Sequence, residues 1–376
     1  MRILFVTDSY IPVPSGVTVS VETLRLSLEK LGHEVLIVAP KYPGWKKKEH
    51  KVARLPGLFR PFEKYRPSFW PTIALNKSRL KEMEIDLIHS HFGFSLFNYP
   101  LELSKYLKIP LINTIYSFSK SQDKNPTNKK LISYANRCDL NIALSATSKK
   151  YLSELNIHSQ IEALPVGVFP KDFTSFPPEA VRKKFEIPKN RKIILFVGAI
   201  DCDADMMLLI QSFKKVWKAL EDDVHLLVIG GGRYFKKYKS AAAASPLRQF
   251  VTFTNFLPKN QVNKIYAVAD VLAYTDRLDP QPLVILESLC AGTPAVAVRG
   301  MGAQNFIKNN EDGIIASHDV EDFSEKLIGI LKKDRMRLDF SLKARINARR
   351  FRASILTREL VDLYNLALES YKHKLI

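Results

Sequence analysis

The chain opens with a short apolar run, Ile3 to Val6, followed by a loop that carries Pro12, Pro14 and Gly16. Apolar positions then recur at helical spacing, at Val17, Val21, Leu24, Leu28 and Leu31, and stop at Gly32. A second apolar run, Val35 to Val38, comes next. Unbroken apolar runs of this length fit strands buried on both faces, and residues three and four apart fit one face of a helix. Gly32 is a natural helix stop, because it takes positive φ at no steric cost. The order strand, helix, strand predicts a parallel sheet with right-handed crossovers. Ile85 to Ile88, Leu111 to Ile115 and Leu140 to Ala143 read as further strands.

The pattern restarts in the second half. Ile193 to Gly198 repeats the opening strand and small-residue turn, and Met206, Leu209, Ile210, Phe213, Val216 and Leu220 line one helix face. Strands are predicted at Leu226–Ile229, Val251–Phe253, Val271–Tyr274 and Ala295–Val298. A polar, proline-bearing stretch from about Pro170 to Pro188 reads as a linker, and the tail from about Ala353 to Lys374 as one amphipathic helix. The expected fold class is therefore α/β, with two facing Rossmann-like domains. Residues 1–175 form the N-terminal domain and residues 176–352 the C-terminal domain; residues 353–376 form a helix packing back on the first. Ligands of such sheets bind beyond the carboxyl ends of the strands, so an inter-domain cleft is the expected site. At this level a sugar transferase, a phosphate-handling enzyme and a periplasmic-type binding protein all remain open.

Charge narrows the choice. Lys and Arg number 57 against 38 Asp and Glu, a net charge of +19, which calls for anionic company: nucleic acid, an anionic membrane or a phosphate-bearing substrate. The three cysteines, Cys138, Cys202 and Cys290, are far apart and odd in number, so a disulfide framework or a cysteine metal site is not expected. The Ile3–Val6 run is too short for a signal peptide and no 18-residue apolar stretch occurs, which fits a cytoplasmic protein without a spanning helix.

One stretch is specific. Asp279-Pro-Gln-Pro-Leu-Val-Ile-Leu-Glu287 places two acids eight positions apart across a loop and the start of a helix, followed by Gly292-Thr-Pro294. The stretch resembles the acidic motif of retaining glycosyltransferases of the GT-B fold, the large family four that includes sucrose, mannosyl and glycolipid synthases. The resemblance implies that residues 1–175 are the acceptor side and residues 176–352 the nucleotide-sugar side. The chemistry is consistent with it: a carboxylate in such a loop can accept hydrogen bonds from sugar hydroxyls, the N–H groups of Leu283 and Val284 at the helix start suit a diphosphate, and Glu287, one turn on, can accept both hydroxyls of a ribose. Other matches fall in the same order. Asp8-Ser-Tyr10-Ile-Pro12 with Gly16-Val17 is similar to the family's first loop, and His89-Ser-His91 to its His-x-His strand end. Leu164-Pro165-Val-Gly167, Gly230-Gly-Gly232, Tyr266-Ala-Val-Ala269-Asp270 and Phe306 to Ile315 match later turns and strands. Gln281 and Met301-Gly302 resemble the glycolipid-synthase branch.

The resemblance implies a donor site built on Gly16, Gly198, Gly230, Arg233, Leu283, Val284 and Glu287. Asp279 and Tyr116 stand at the catalytic positions, and Tyr10, His91 and Ser145 on the acceptor side of the cleft. It implies no cofactor and no metal, a nucleotide-sugar as donor substrate, and a lipid or lipid-linked acceptor. It also implies that the leaving phosphate accepts the acceptor's proton on the same face, with retention. His89 and His91 are expected on opposite faces of their strand, too few ligands for a metal.

The departures from the family pattern matter as much. The Arg and Lys that grip the donor diphosphate are here Ala199 and Ala204, and the His beside the transferred sugar is Tyr116. Phenol titrates near 10, so Tyr116 can hydrogen-bond a sugar but not do acid–base work at neutral pH. The motif's first Glu is Asp279 and its Gly is Pro282, which has no N–H. Arg233, Lys236 and Lys237 after the glycine turn are candidate replacements for the lost cations, although a solvated helix face is the better account of them. A second function therefore stands beside sugar transfer: a catalytically degenerate relative acting as a binding or scaffolding subunit, with a protein partner.

The run from Trp45 to Trp70 interleaves aromatic residues with Lys46, Lys47, Lys48, Arg54, Arg60, Lys64 and Arg66. Cations mixed with aromatics suit an anionic headgroup interface, and less well a single-stranded nucleic acid. The expected location is peripheral, on the inner face of the membrane.

Overall fold

A computed structural model of the chain describes all residues except 48, 57, 60–66, 70–76, 93–97, 118–125, 174–176 and 376. The chain divides into two compact units, Met1–Gly167 with Ala353–Ile376, and Val168–Arg352.

In the first unit, β1 (Arg2–Thr7) leads into α1 (Gly16–Lys30), β2 (Glu34–Lys41), β3 (Val52–Pro56), the short β4 (Leu58–Phe59) and β5 (Pro67–Phe69), and α2 (Lys77–Glu82). Then come β6 (Leu87–Phe92), α3 (Asn98–Leu107), β7 (Leu111–Ile115), α4 (Pro126–Ala135), β8 (Leu140–Ala143), α5 (Ala146–Ser153) and β9 (Ile161–Ala163). Seven strands form one sheet in the order β3-β2-β1-β6-β7-β8-β9, and every pairing is parallel. The order reverses between β1 and β6, the topological switch point at which such sheets bind ligands. Helix α1 begins where expected because the Ser15 hydroxyl accepts a hydrogen bond from the Thr18 N–H. Gly32, at φ +83°, lets the chain turn off its far end.

The second unit holds α6 (Pro178–Lys184), β10 (Lys192–Val197), α7 (Asp203–Leu220), β11 (Val224–Ile229), α8 (Phe235–Ala243), β12 (Val251–Thr254), α9 (Lys259–Tyr266) and β13 (Val271–Tyr274). It continues with α10 (Leu283–Ala291), β14 (Ala295–Val298), α11 (Ala303–Phe306), β15 (Gly313–Ala316), α12 (Val320–Lys332) and α13 (Asp334–Ala348). Its six-stranded sheet runs β12-β11-β10-β13-β14-β15, again parallel throughout. This is the doubly wound order, with its switch point between β10 and β13. The Pro170–Pro188 stretch is not a bare linker: it contains a turn of 3-10 helix at Pro170–Phe173 and helix α6.

The final helix, α14 (Ala353–Leu375), belongs to the first unit, where it meets α1. Its fully buried Tyr364 brings a hydroxyl to 2.6 Å from Nδ1 of His89 on β6. No helix among the described residues is long and apolar enough to cross a membrane.

Candidate donor and acceptor sites

At the carboxyl edge of the first sheet, β6 ends in the two histidines. They lie on the same face, with ring centroids 4.0 Å apart, and Phe5 of β1 meets both rings edge-on. The expectation of opposite faces was wrong, because strand side chains alternate and residues two apart share a face. Nε2 of His89 is 2.7 Å from the Thr114 hydroxyl on β7, and Nδ1 of His91 is 3.1 Å from the Tyr116 hydroxyl just beyond that strand. Both histidines are fully buried, and desolvation pushes His91 down to about 3 and His89 well below its ordinary value. The rings are therefore neutral at physiological pH. Nε2 of His91 has no hydrogen-bond partner among the described residues. Burial raises the Tyr116 phenol above its ordinary value, which leaves it a hydrogen-bonding group only.

The loop after β1 places Ser9, Ser15 and Thr18 in one hydroxyl cluster at the start of α1, with Ser9 Oγ 2.7 Å from Ser15 Oγ. A Cβ added at Gly16 would meet nothing within 4 Å, so the surface there is open. Tyr10, in contrast, is buried: its hydroxyl donates to Glu22 at 2.6 Å and the Arg54 guanidinium lies over its ring. Ser145 is likewise occupied, capping α5 by accepting from the Ser148 N–H. Neither side chain offers the open hydroxyl expected of an acceptor site.

The second sheet ends differently. After β10, Gly198 and exposed Ala199 run to Asp201, whose carboxylate accepts from the Arg233 N–H at 2.8 Å. The glycine turn after β11 is required by the backbone. A Cβ on Gly230 would sit 1.8 Å from the Gly198 carbonyl oxygen, and Gly230 and Gly232 have φ of +146° and +150°. Gly198 itself carries no such constraint, since a Cβ there would touch only the Phe196 ring at ordinary distance. The Arg233 side chain is exposed and lies near the Tyr234 ring. Lys236 is exposed, and Lys237 sits against the rings of Tyr234 and Tyr238.

The acidic motif occupies the loop after β13 and the first turns of α10. Asp279 is partly buried; it accepts from the Gln281 N–H at 2.9 Å and, at 3.3 Å, from the Tyr274 hydroxyl. Desolvation, then the nearby Asp276 charge, push it up to about 7. Helix α10 starts at Leu283 with no side-chain cap, as Pro282 occupies the cap position. One turn in, buried Glu287 forms an ion pair with Lys259, the first residue of α9. Glu287 also lies beside fully buried Tyr266, whose phenol is raised by burial and then by the Glu287 charge. Met301 and Gly302 return to the same loop, because a Cβ on Gly302 would strike the Asp279 and Pro280 carbonyls.

Two family profiles match this chain: "Glycosyltransferase Family 4" over residues 14–171 and "Glycosyl transferases group 1" over residues 178–347. The chain is a family-four glycosyltransferase of the GT-B fold. It is 27% identical over 347 residues to an alpha-monoglucosyldiacylglycerol synthase of Streptococcus pneumoniae, covering 85% of this chain and 76% of that one. A protein of the same name from Acholeplasma laidlawii is 22% identical over 100% of this chain and 99% of its own. Among solved structures, Anabaena HepE in complex with UDP and glucose superposes with a TM-score of 0.81 at 16% identity, covering 97% of this chain and 99% of that one.

In this glycosyltransferase, sequence reasoning identified Asp279, Leu283, Val284 and Glu287, which the structure gathers at one helix start. It also identified His91 and Tyr116, which the structure puts in contact. It missed Lys259, Tyr266 and Tyr274, the partners of the two acids. The spacing of Lys259 and Glu287, 28 residues apart, carries no signal of contact. Among the described residues, no group of three or more acidic, histidine or cysteine side chains could hold a metal. Of the basic patch, Lys46 and Lys47 are exposed, whereas Lys48, Arg60, Lys64 and Arg66 lie outside the described residues. Arg54 is not part of a free patch. It makes a bidentate pair with Glu49, donates to the Pro40 and Ile11 carbonyls, and lies against Tyr10, Tyr42 and Trp45.

Proposed function

We propose that this glycosyltransferase moves a hexose from a nucleoside-diphosphate donor to a lipid or lipid-linked acceptor at an anionic membrane surface, with retention and without a metal. The observation that carries the donor half is the arrangement around α10: an uncapped helix start at Leu283 and Val284, Glu287 buried one turn in, and Asp279 held in the preceding loop. Backbone N–H groups at a helix start suit a diphosphate. A buried carboxylate suits paired ribose hydroxyls, which would take over from Lys259. Asp279, raised towards neutrality, would accept a sugar hydroxyl once the donor is bound.

The acceptor half is supported by the two relatives that are alpha-monoglucosyldiacylglycerol synthases, and by the neutral hydrogen-bonding pair of His91 and Tyr116. Neither side chain is a base at neutral pH, which fits a reaction in which the leaving phosphate accepts the acceptor's proton. Exposed Arg233 is the candidate to answer the diphosphate charge where Ala199 and Ala204 replace the family's cations. The non-catalytic alternative has less support, since the relatives carry the names of enzymes.

Calorimetric titration with uridine, guanosine and adenosine diphosphates and their sugars, in the presence of a chelator, tests the reading. One diphosphate should bind with micromolar affinity, and Glu287→Gln should weaken it about 100-fold, the cost of an unmade charged hydrogen bond or two. No binding at millimolar concentration by the folded protein would overturn the enzyme reading. The anomeric configuration of the product, read by NMR, tests retention.

A further inference from the structure

Helix α13 buries one face and exposes an unusual one. Phe340, Ala344, Asn347 and Ala348 are buried, and the helix packs on α10 and α12. The Arg345 side chain fixes it further by donating to the Ala291 carbonyl at the end of α10. On the opposite side, Leu338, Leu342 and Ile346 are 58%, 66% and 61% exposed. Their spacing of four residues puts them in one stripe. Arg335, and Arg349 just past the helix end, flank that stripe and enter no ion pair among the described residues. The one acid there, Asp339, is taken by Lys343 at 2.7 Å.

Large apolar side chains this exposed, in line and flanked by two arginines with no ion pair among the described residues, are not explained by the fold, which uses the other face. A second copy of the chain fits poorly, because a symmetric contact through this face would bring arginine against arginine with no free acid to answer. Anionic headgroups answer the arginines while the leucines and isoleucine enter the acyl boundary, the arrangement of an interfacial amphipathic helix. We infer that the outward face of α13 is a docking surface for an anionic lipid bilayer. This inference deepens the lipid-acceptor reading and rests on it for its purpose. It places the surface on the helix packed directly behind the one carrying Glu287.

The test is co-sedimentation of the full chain with vesicles of phosphatidylcholine, alone or with phosphatidylglycerol added. The wild type should bind only the phosphatidylglycerol vesicles and release in high salt. Leu338→Ser/Leu342→Ser/Ile346→Ser should weaken binding at least tenfold. Arg335→Gln/Arg349→Gln should weaken it about fivefold per charge, and neither variant should lower the melting temperature. Wild-type-like vesicle binding by both variants would overturn the inference, as would an absence of wild-type binding. A dimer in solution that the triple variant dissolves would assign the face to a second copy instead. Nucleotide titration of the triple variant keeps the two readings apart: unchanged diphosphate affinity with lost vesicle binding supports the surface. Absent diphosphate affinity in both proteins sinks the sugar chemistry and leaves the vesicle result standing.

Discussion

The two sheets share a strand order and a parallel sense, yet their carboxyl edges carry opposite chemistry. At the end of β6 the first edge is neutral. His89 and His91 are buried and uncharged, and hydroxyls of Thr114, Tyr116 and Tyr364 surround them. The second is acidic, with Asp276, Asp279 and Glu287 near the start of α10 and Lys259 answering one of them. The backbone topology supplies the same kind of edge twice; the side chains placed there decide what it can hold. A neutral edge suits an alcohol acceptor. An acidic edge beside a helix start suits a ligand with both hydroxyls and phosphates.

The glycines of the two edges differ as well, and the largest expected effect comes from them. Gly230→Ala forces a Cβ into the Gly198 carbonyl and a side chain into strained backbone, so it should destabilise by roughly 3 kcal/mol or more in urea unfolding. Wild-type stability in that variant would mean the turn is not fixed as described.

Asp279→Asn comes next and separates function from stability. Sugar transfer should fall about 100-fold, in the range for losing one preorganised electrostatic contact. The empty protein should gain stability at pH 8. The sign follows from the carboxyl being pushed up to about 7: between its usual 3.8 and 7 the folded state holds more protons than the unfolded one. Stability contributed by this group is full at low pH and falls as pH rises through 7. A variant less stable than wild type at pH 8 would break the argument.

The first edge should titrate in the opposite sense. His91 is pushed from 6.5 down to about 3, so in that window the unfolded chain binds the extra proton. Its contribution is full above 6.5 and is lost as pH falls towards 3. His91→Gln should flatten the acid limb of stability against pH by up to one proton, about 1.4 kcal/mol per pH unit at most. An unchanged slope would show that His91 is not held neutral.

The smallest effect is expected at Gly16, where an added Cβ meets only open space. Gly16→Ala should move stability by less than about 1 kcal/mol. A large fall in transfer activity from that variant would mark the open surface as the place where substrate approaches; unchanged transfer would leave the glycine without a functional role.

Much of this was legible in the chain itself. The βα alternation, the stop at Gly32 and the acidic motif on α10 all follow local rules of period, capping and turn chemistry. The same-face pairing of His89 and His91 was legible too, from the period of two, and was read wrongly. Other features had no local signal. His89 and Tyr364 are 275 residues apart, and Arg2 and Asp86 are 84 apart. Ser90, Tyr134, Asn113 and Asn141 form a buried chain of hydrogen bonds under the first sheet that strand patterning does not foretell.

The clearest division concerns charge. Sequence alone determined that the protein is strongly basic, where its acids recur and which elements carry them, because composition and periodicity are local properties. Only the tertiary structure decided which charges are spent. Arg54, in the most basic-looking segment, is consumed by Glu49, two carbonyls and three aromatic rings, whereas Arg335 on α13 and Arg349 just after it enter no ion pair among the described residues and lie beside exposed leucines. An ion pair or a buried stack needs partners brought within a few ångströms, and that proximity is set by long-range packing rather than by neighbours in the chain.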